Sequence, residues 1–411
     1  MNKQPFHSEH FGYEVVEPFF WLELPPGGPA CRLFVPGNLE SNRILRLDKQ
    51  HPRLLIFREE LLRKCLVGDD GTDYTEEVLA NYPVPKNFQY MLKTEPLVKT
   101  IGSSVISDHP YLFARPGTIT AIMGPSGAGK SVFLKMLCGY DQPSPALMAD
   151  GQTRPGRITV CGVEGEGAFS QLGYVPQGDA MYSELTTRQS LRYRLLLKFG
   201  RLLSEQDIDR IIKYVCGELL NLKVAPEEKT RRAAGKTKKE VPTIDKRIGQ
   251  MDSIGSYPSG GERRRINIAH ELVLEPRVLI LDEPTSGLSS SDSELVMAVL
   301  TNLVKAKQLT IIMTIHQPSA NMFDQIDDLL LLTRGGRLAY YGPCAAARAW
   351  LAANENFLSS EERGKIATLS NPSEAVLEYI DHETAPQCFP AAFQAQRNRQ
   401  TGRISPEEVV K

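Results

Sequence analysis

The chain has 411 residues, a formal net charge of −1, 41% hydrophobic and 24% charged residues. This is ordinary globular composition, long enough for two domains or for one large domain with extensions, and its near-neutrality gives no overall pull toward nucleic acid or an anionic membrane. The cysteines number seven and form no C-x-x-C pair, which argues for reduced thiols in a cytosolic setting rather than a disulfide or zinc framework.

Stretches without Asp, Glu, Lys or Arg, such as 116–129 and 308–323, are broken by Gly, Pro, Asn, Gln or His, so no transmembrane helix is predicted. The opening MNKQPFHSEHFG lacks the apolar core of a signal peptide. By itself the chain is expected to be soluble. Residues 1–86 read as an N-terminal extension with no chemistry-bearing pattern. Its first part is aromatic and interrupted by Pro and Gly, and Leu54, Leu55, Leu61, Leu62 and Leu66 recur at roughly helical spacing.

From 87 to 350 short apolar runs alternate with amphipathic stretches, the pattern of α/β architecture. Thr118–Met123, Val278–Leu281 and Thr310–Ile315 are nearly continuous apolar runs, as expected of strands buried on both faces of a parallel sheet. The first leads into GPSGAGKS, residues 124–131. Its spacing, Gly124, then Gly129, Lys130 and Ser131, fits G-x-x-x-x-G-K-[ST]. In that loop, converging backbone N–H groups hold phosphate oxygens, the lysine pairs with the terminal phosphates, and the hydroxyl coordinates Mg²⁺. Val132–Leu137 reads as a helix whose positive end faces the same anion. Taken alone, the stretch could also be a plain glycine turn.

Further along, Gln177 in YVPQGD follows a short strand and offers an amide that can reach metal or water. Residues 229–240 carry a Lys/Arg-rich run, read as a solvated, flexible insertion. SGGERRR, residues 259–265, opens a basic amphipathic helix with Ser259 and two glycines at its N-terminus, a second place for an anion or a plain N-cap. VLILDEPTSG is an apolar strand ending in Asp282 and Glu283; one carboxylate there can hold a Mg²⁺ shell and the next can polarise a water. Ser293–Lys307 has helical periodicity. His316 in TIHQPS ends the third apolar strand, where an imidazole could contact a terminal phosphate. Residues 328–342 read as a hairpin turning at Gly335-Gly336. Beyond 350 the chain turns polar, with a short helix expected near Ser373–Ile380.

Phosphate loop, glutamine loop, SGGE, strand-Asp-Glu and strand-His follow one another in the order of an ATP-binding-cassette (ABC) nucleotide-binding domain, which the chain resembles in all five elements. It resembles the G subfamily, the White and pleiotropic-drug-resistance type, in SGGERRR (Glu262 stands where many ABC proteins have Gln), TIHQPS, LLLLTRGGRLAYYGP and NPSEAVLEYI. The resemblance spans residues 87–380. It implies an α/β P-loop NTPase fold: a mostly parallel sheet core with an antiparallel β portion and a helical subdomain near 178–275. The nucleotide-binding domain would occupy 87–350, and 351–411 would be a linker toward a membrane domain absent from this chain. Gly124, Pro125, Ser126, Gly127, Ala128, Gly129, Lys130 and Ser131 would bind the ATP phosphates, and Ser131, Gln177 and Asp282 would serve Mg²⁺. Glu283 would be the general base, acting with Gln177, and His316 the sensor of the γ-phosphate. Ser259, Gly260, Gly261 and Glu262 would contact ATP held by an opposing domain. Tyr90 stands about where the family sets an aromatic under adenine.

The sequence departs from the family at Ser289, where Asp usually follows TSGL, and at Tyr257-Pro258 before SGGE; proline at a helix start is tolerable. The expected function is an ATPase of a half-transporter, moving a lipid, sterol or drug-like substrate. It would act at the cytoplasmic face of a membrane, with a second cassette and a transmembrane partner and without nucleic acid. Two alternatives stay open. A soluble ABC protein usually carries paired cassettes or long coiled coils, whereas one phosphate loop and no sustained heptads are present here. A nucleotide-regulated binding module with little turnover would account for Ser289.

Overall fold

The computed structural model describes residues 90–380, apart from 103, 110–111, 149–150, 165, 170, 180, 200–202, 226, 231–236, 250–256, 334–335 and most of 353–379; before residue 90 it describes only the backbone of six short strands. Leu54, Leu55, Leu61 and Leu62 lie outside the described residues, while Leu66 falls in a two-residue strand. The chain divides into two compact units, one of Met1–Asn87 with Met181–Glu275 and one of Phe88–Ala180 with Pro276–Lys411.

In chain order, the elements used below begin with β1 (Leu92–Thr94), β2 (Leu97–Ile101), β3 (Ser104–His109), β4 (Phe113–Ala114) and β5 (Ile119–Met123). Next come α1 (Lys130–Leu137), β6 (Ile158–Val160), β7 (Val163–Glu164) and β8 (Leu172–Val175). Helices α2 (Thr187–Phe199), α3 (Glu205–Lys213) and α4 (Gly260–Leu272) follow. The chain continues through β9 (Val278–Leu281), α5 (Ser290–Lys307), β10 (Thr310–Thr314), β11 (Asp328–Leu332) and β12 (Leu338–Pro343).

The unit from Phe88 contains a six-stranded sheet ordered β8-β9-β10-β5-β11-β12. Its first five strands run parallel, and β12 returns antiparallel to β11. Every residue of β5, β9, β10 and β11 is buried. That is why these segments read as unbroken apolar runs rather than alternating ones. A smaller antiparallel sheet, ordered β4-β1-β6-β7, belongs to the same unit, as does the β2–β3 hairpin. Helix α1 lays Phe133, Leu134, Met136 and Leu137, all fully buried, into one core with Ile122, Ile280, Ile312 and Leu330 of the sheet. Each such side chain contributes about 1.5–3 kcal/mol by leaving water.

In the other unit, α3 opens on a capping box in which Ser204 and Asp207 satisfy each other's backbone N–H, and it runs on into a π-type turn over Tyr214–Leu219. The arginines of SGGERRR do not line a solvent face: Arg263, Arg264 and Arg265 are all buried. Arg263 donates to the carbonyls of Ile248 and Gly249, and Arg265 to those of Leu220, Asn221 and Gly261. Guanidinium groups thus satisfy carbonyls that close the preceding helix and loop. The flanks of the basic run also depart from a structureless insertion, since Glu227–Thr230 pairs antiparallel with Thr237–Glu240.

His270 sits in the last turn of α4, its Nε2 out of solvent and without a hydrogen-bond partner among the described residues. Burial, helped by the nearby Arg194 charge, pushes its imidazole down from 6.5 to about 4. Between those values the unfolded chain binds the extra proton, so this group's contribution makes stability fall as pH drops from 6.5 toward 4. Thermal unfolding of the His270→Gln variant across that range should show a shallower acid decline than the parent. Superimposable profiles would remove His270 from the acid response.

Candidate active site

Parallel strands end on the same edge of a sheet, so the residues after β5, β9, β8 and β10 emerge together. After β5 comes the glycine loop. Gly129 has φ +78°, and a Cβ there would lie 2.7 Å from the Ile106 carbonyl oxygen of β3; at Gly124 it would lie 2.6 Å from the Leu332 carbonyl oxygen of β11. The loop is therefore pressed against two backbones, and only glycine fits at either point. Within it, Pro125 and Ala128 are buried, Ser126 and Gly127 are exposed, and the Ala128 N–H donates to the Pro125 carbonyl.

Helix α1 starts directly at Lys130 with no side-chain cap and no acid in its first turn, which leaves its first N–H groups for another acceptor. The Lys130 side chain folds back over the loop, and its Nζ donates to the carbonyls of Gly124 (2.7 Å) and Pro125 (2.9 Å). Burial holds the ammonium below the ordinary lysine range, against the pull of the Glu283 and Asp282 carboxylates.

Those two carboxylates follow β9. Asp282 is buried, and its Oδ1 accepts from the hydroxyls of Ser131 (3.2 Å) and Thr314 (2.7 Å). Its Oδ2 accepts no hydrogen bond from the described residues. Glu283 has φ +47°, a left-handed conformation uncommon outside glycine. Its N–H donates to Thr314 Oγ1 (2.8 Å), and its Oε2 accepts from Gln177 Nε2 (2.7 Å). Gln177, two residues beyond β8, is exposed. His316 is exposed two residues past β10. Tyr90 packs its ring on Phe113, centroids 5.0 Å apart and tilted by 44°.

The fold thus brings Ser131 onto Asp282 and Gln177 onto Glu283 through direct contacts, with the Lys130 ammonium within electrostatic reach of both carboxylates. Ser259, Gly260, Gly261 and Glu262 belong to the other compact unit. Ser259 caps α4 there: its Oγ accepts from the Glu262 N–H, while the Glu262 carboxylate accepts from the Ser259 N–H and the Thr243 hydroxyl. A Glu or a Gln can close such a capping box, which explains why Glu262 is tolerated. Ser289 likewise caps α5, accepting from the Asp292 N–H and donating to its carboxylate. Sequence reasoning missed Thr314 altogether; its signal was a hydroxyl inside an otherwise apolar strand that runs between the two site strands.

The oxygen chemistry at Asp282 and Ser131 fits Mg²⁺, a hard cation held by one or two carboxylates and hydroxyls together with substrate phosphates. No cluster of three or more His, Cys, Asp or Glu able to hold a metal by itself exists among the described residues.

A glycine loop between a parallel strand and a helix, with strand-end acids two strands away, defines a P-loop NTPase. Residues 111–286 match the family model for the ABC transporter domain. The chain is 34% identical over 238 residues to ABC transporter G family member 25 of Oryza sativa subsp. japonica, covering 57% of this chain and 21% of that protein. It is 35% identical over 229 residues to putative white-brown complex homolog protein 30 of Arabidopsis thaliana, covering 55% and 18%. With ABC transporter G family member 1 of Petunia hybrida it shares 32% identity over 305 residues, covering 73% and 42%. A solved structure, cbiO1 of Clostridium perfringens, part of an ABC transporter complex, aligns at 21% identity and TM-score 0.49, covering 69% of this chain and all of that one. The chain is thus similar over residues 111–286 to the ABC transporter domain family, and the relatives named are of the G-family, white-brown kind. It spans less than half the length of each of these G-family relatives. Domains of this family bind ATP, generally with Mg²⁺.

Because Ser and Asp cap helices about equally well, Ser289→Asp should leave stability unchanged. Ser289→Ala should lower it by about 1 kcal/mol in urea denaturation. An alanine variant as stable as the parent would show that this cap contributes nothing to α5.

Proposed function

We propose that this chain is the ATP-hydrolysing cassette of a half-transporter, driving movement of a lipid, sterol or drug-like substrate through a membrane partner. One observation carries the enzymatic part: Lys130, the Ser131–Asp282 pair and the Gln177–Glu283 pair meet on one sheet edge. Backbone N–H groups of residues 124–131 and the start of α1 would hold the β- and γ-phosphates. To reach them, the Lys130 ammonium exchanges two carbonyl partners for phosphate oxygens, a stronger charge-assisted contact.

Ser131, Asp282 and Gln177 would hold Mg²⁺, which neutralises phosphate charge when bound. Glu283 accepts the proton of the attacking water, and Gln177, already on its Oε2, orients that carboxylate. His316, exposed beyond β10, would contact the γ-phosphate, and Tyr90 would lie under adenine. Ser259, Gly260, Gly261 and Glu262 would complete the site of a second cassette, so that the working unit is a dimer at the cytoplasmic face of a membrane. The names of the relatives support the transporter setting. Ser289 caps α5, as an Asp could; steady-state ATP hydrolysis separates this reading from that of a module with little turnover.

Two substitutions separate binding from chemistry. Glu283→Gln should keep ATP affinity while lowering hydrolysis by about 10²–10⁴-fold; turnover near that of the parent would dismiss Glu283 as the base. Lys130→Ala should instead weaken ATP binding, by about 10-fold or more for the loss of a charged contact. Equal affinity in a titration would mean that the lysine serves only the loop.

A further inference from the structure

We propose that Thr314 is a positioning residue for hydrolysis: its one hydroxyl locks the Asp282 carboxylate and the Glu283 backbone to each other, and so fixes the ion-holding group relative to the base. The proposal rests on the assignment of Asp282 and Glu283 given above.

The strand order creates the opportunity. Strand β10 lies between β5, which leads into the glycine loop, and β9, which leads into the two acids. Thr314 ends β10 opposite Ile122, one residue beyond the Met313–Leu281 pairing. Its backbone is therefore held from both sides, and its side chain is fully buried. A β-branched residue there has little rotamer freedom, so the hydroxyl is a rigid point. That hydroxyl donates to Asp282 Oδ1 at 2.7 Å and accepts from the Glu283 N–H at 2.8 Å. It is the shorter of the two hydroxyl contacts to Oδ1, Ser131 being at 3.2 Å.

Two features set this hydroxyl apart from a strand threonine that merely satisfies itself. First, of the buried threonines in this sheet it is the one that reaches a carboxylate: Thr310 bridges two backbone groups, the Arg115 carbonyl and the Gly117 N–H, and Thr120 finds no partner among the described residues. Secondly, the N–H it holds belongs to a residue at φ +47°. Such a conformation persists only where the surroundings impose it, and it decides where the Glu283 carboxylate points. Groups behind a metal ligand commonly govern affinity or rate by about 10–100-fold.

The test uses Thr314→Val, which keeps the branched shape and deletes the hydroxyl, and Thr314→Ser, which keeps the hydroxyl. In the full chain, binding of a fluorescent ATP analogue is measured in EDTA and across a Mg²⁺ titration, with turnover and unfolding midpoint alongside. The valine variant should bind the analogue like the parent in EDTA. It should need about 10–100-fold more Mg²⁺ for half-effect and lose kcat rather than gain KM, and serine should restore both. A Mg²⁺ response and kcat equal to the parent's in the valine variant would overturn the proposal. So would equal losses in valine and serine, which would assign the effect to packing. Should valine not fold, Thr314→Ala against Thr314→Ser decides on the same readouts. Glu283→Gln run in parallel separates the two assignments: normal turnover there would unseat the base, while the Mg²⁺ titration would still report on the hold over Asp282.

Discussion

The parallel pairing of β9 with β10 and of β10 with β5 is the constraint on which the site depends. Three strands aligned in the same direction deliver the glycine loop, the two acids and the segment before His316 to one edge. Burial on both faces fixes the register, because any slip would replace apolar contacts made by every residue of each strand. The core formed by α1 against the sheet holds the helix that leaves the loop, with Phe133 and Met136 fully buried in it. Positions of the site atoms are thus set by apolar packing well away from them.

Local strain concentrates where that frame meets the chemistry. Gly129 bends the chain with a backbone only glycine adopts readily, and Glu283 adopts a left-handed turn despite its side chain. Lys130 is held in a buried place where its charge is disfavoured, answered by two carbonyls and by nearby carboxylates. Such features cost stability and persist because the sheet over-determines them. They also make the site responsive, since a phosphate would offer Lys130 a better partner than the carbonyls do.

The unit holding Ser259–Glu262 is built differently. It relies on caps and on buried guanidinium groups that close helix ends and loops, with Arg263 and Arg265 each serving two or more carbonyls. Ion pairs such as Arg188 with Asp245 and Asp209 tie its helices together near the surface, where each contributes less than about 1 kcal/mol. Glu262 links both themes, closing the α4 capping box and receiving the Thr243 hydroxyl.

Local chemistry was readable directly from the residues: the loop spacing from Gly124 to Ser131, the apolar strands leading to it and to Asp282, and the helices at α1 and α5 all follow from patterns a few residues long. Periodicity and glycine placement are determined by neighbours in the chain, so they survive without a fold. The buried arginines, the reach of Thr314 and the Gln177–Glu283 contact did not show, and the basic run near 229–240 looked structureless. The Thr314 and Gln177 contacts depend on which segments the strand order β8-β9-β10-β5 brings side by side, and the arginine contacts and the paired flanks of the basic run on packing within the other unit. A threonine in an apolar run looks like filler until a strand is seen to lie between two others. An arginine looks like surface until the carbonyls that satisfy it are close. Residue type and spacing determined what chemistry was available; tertiary structure alone decided which groups touch, because hydrogen bonds between segments far apart in sequence exist only once packing has chosen their neighbours.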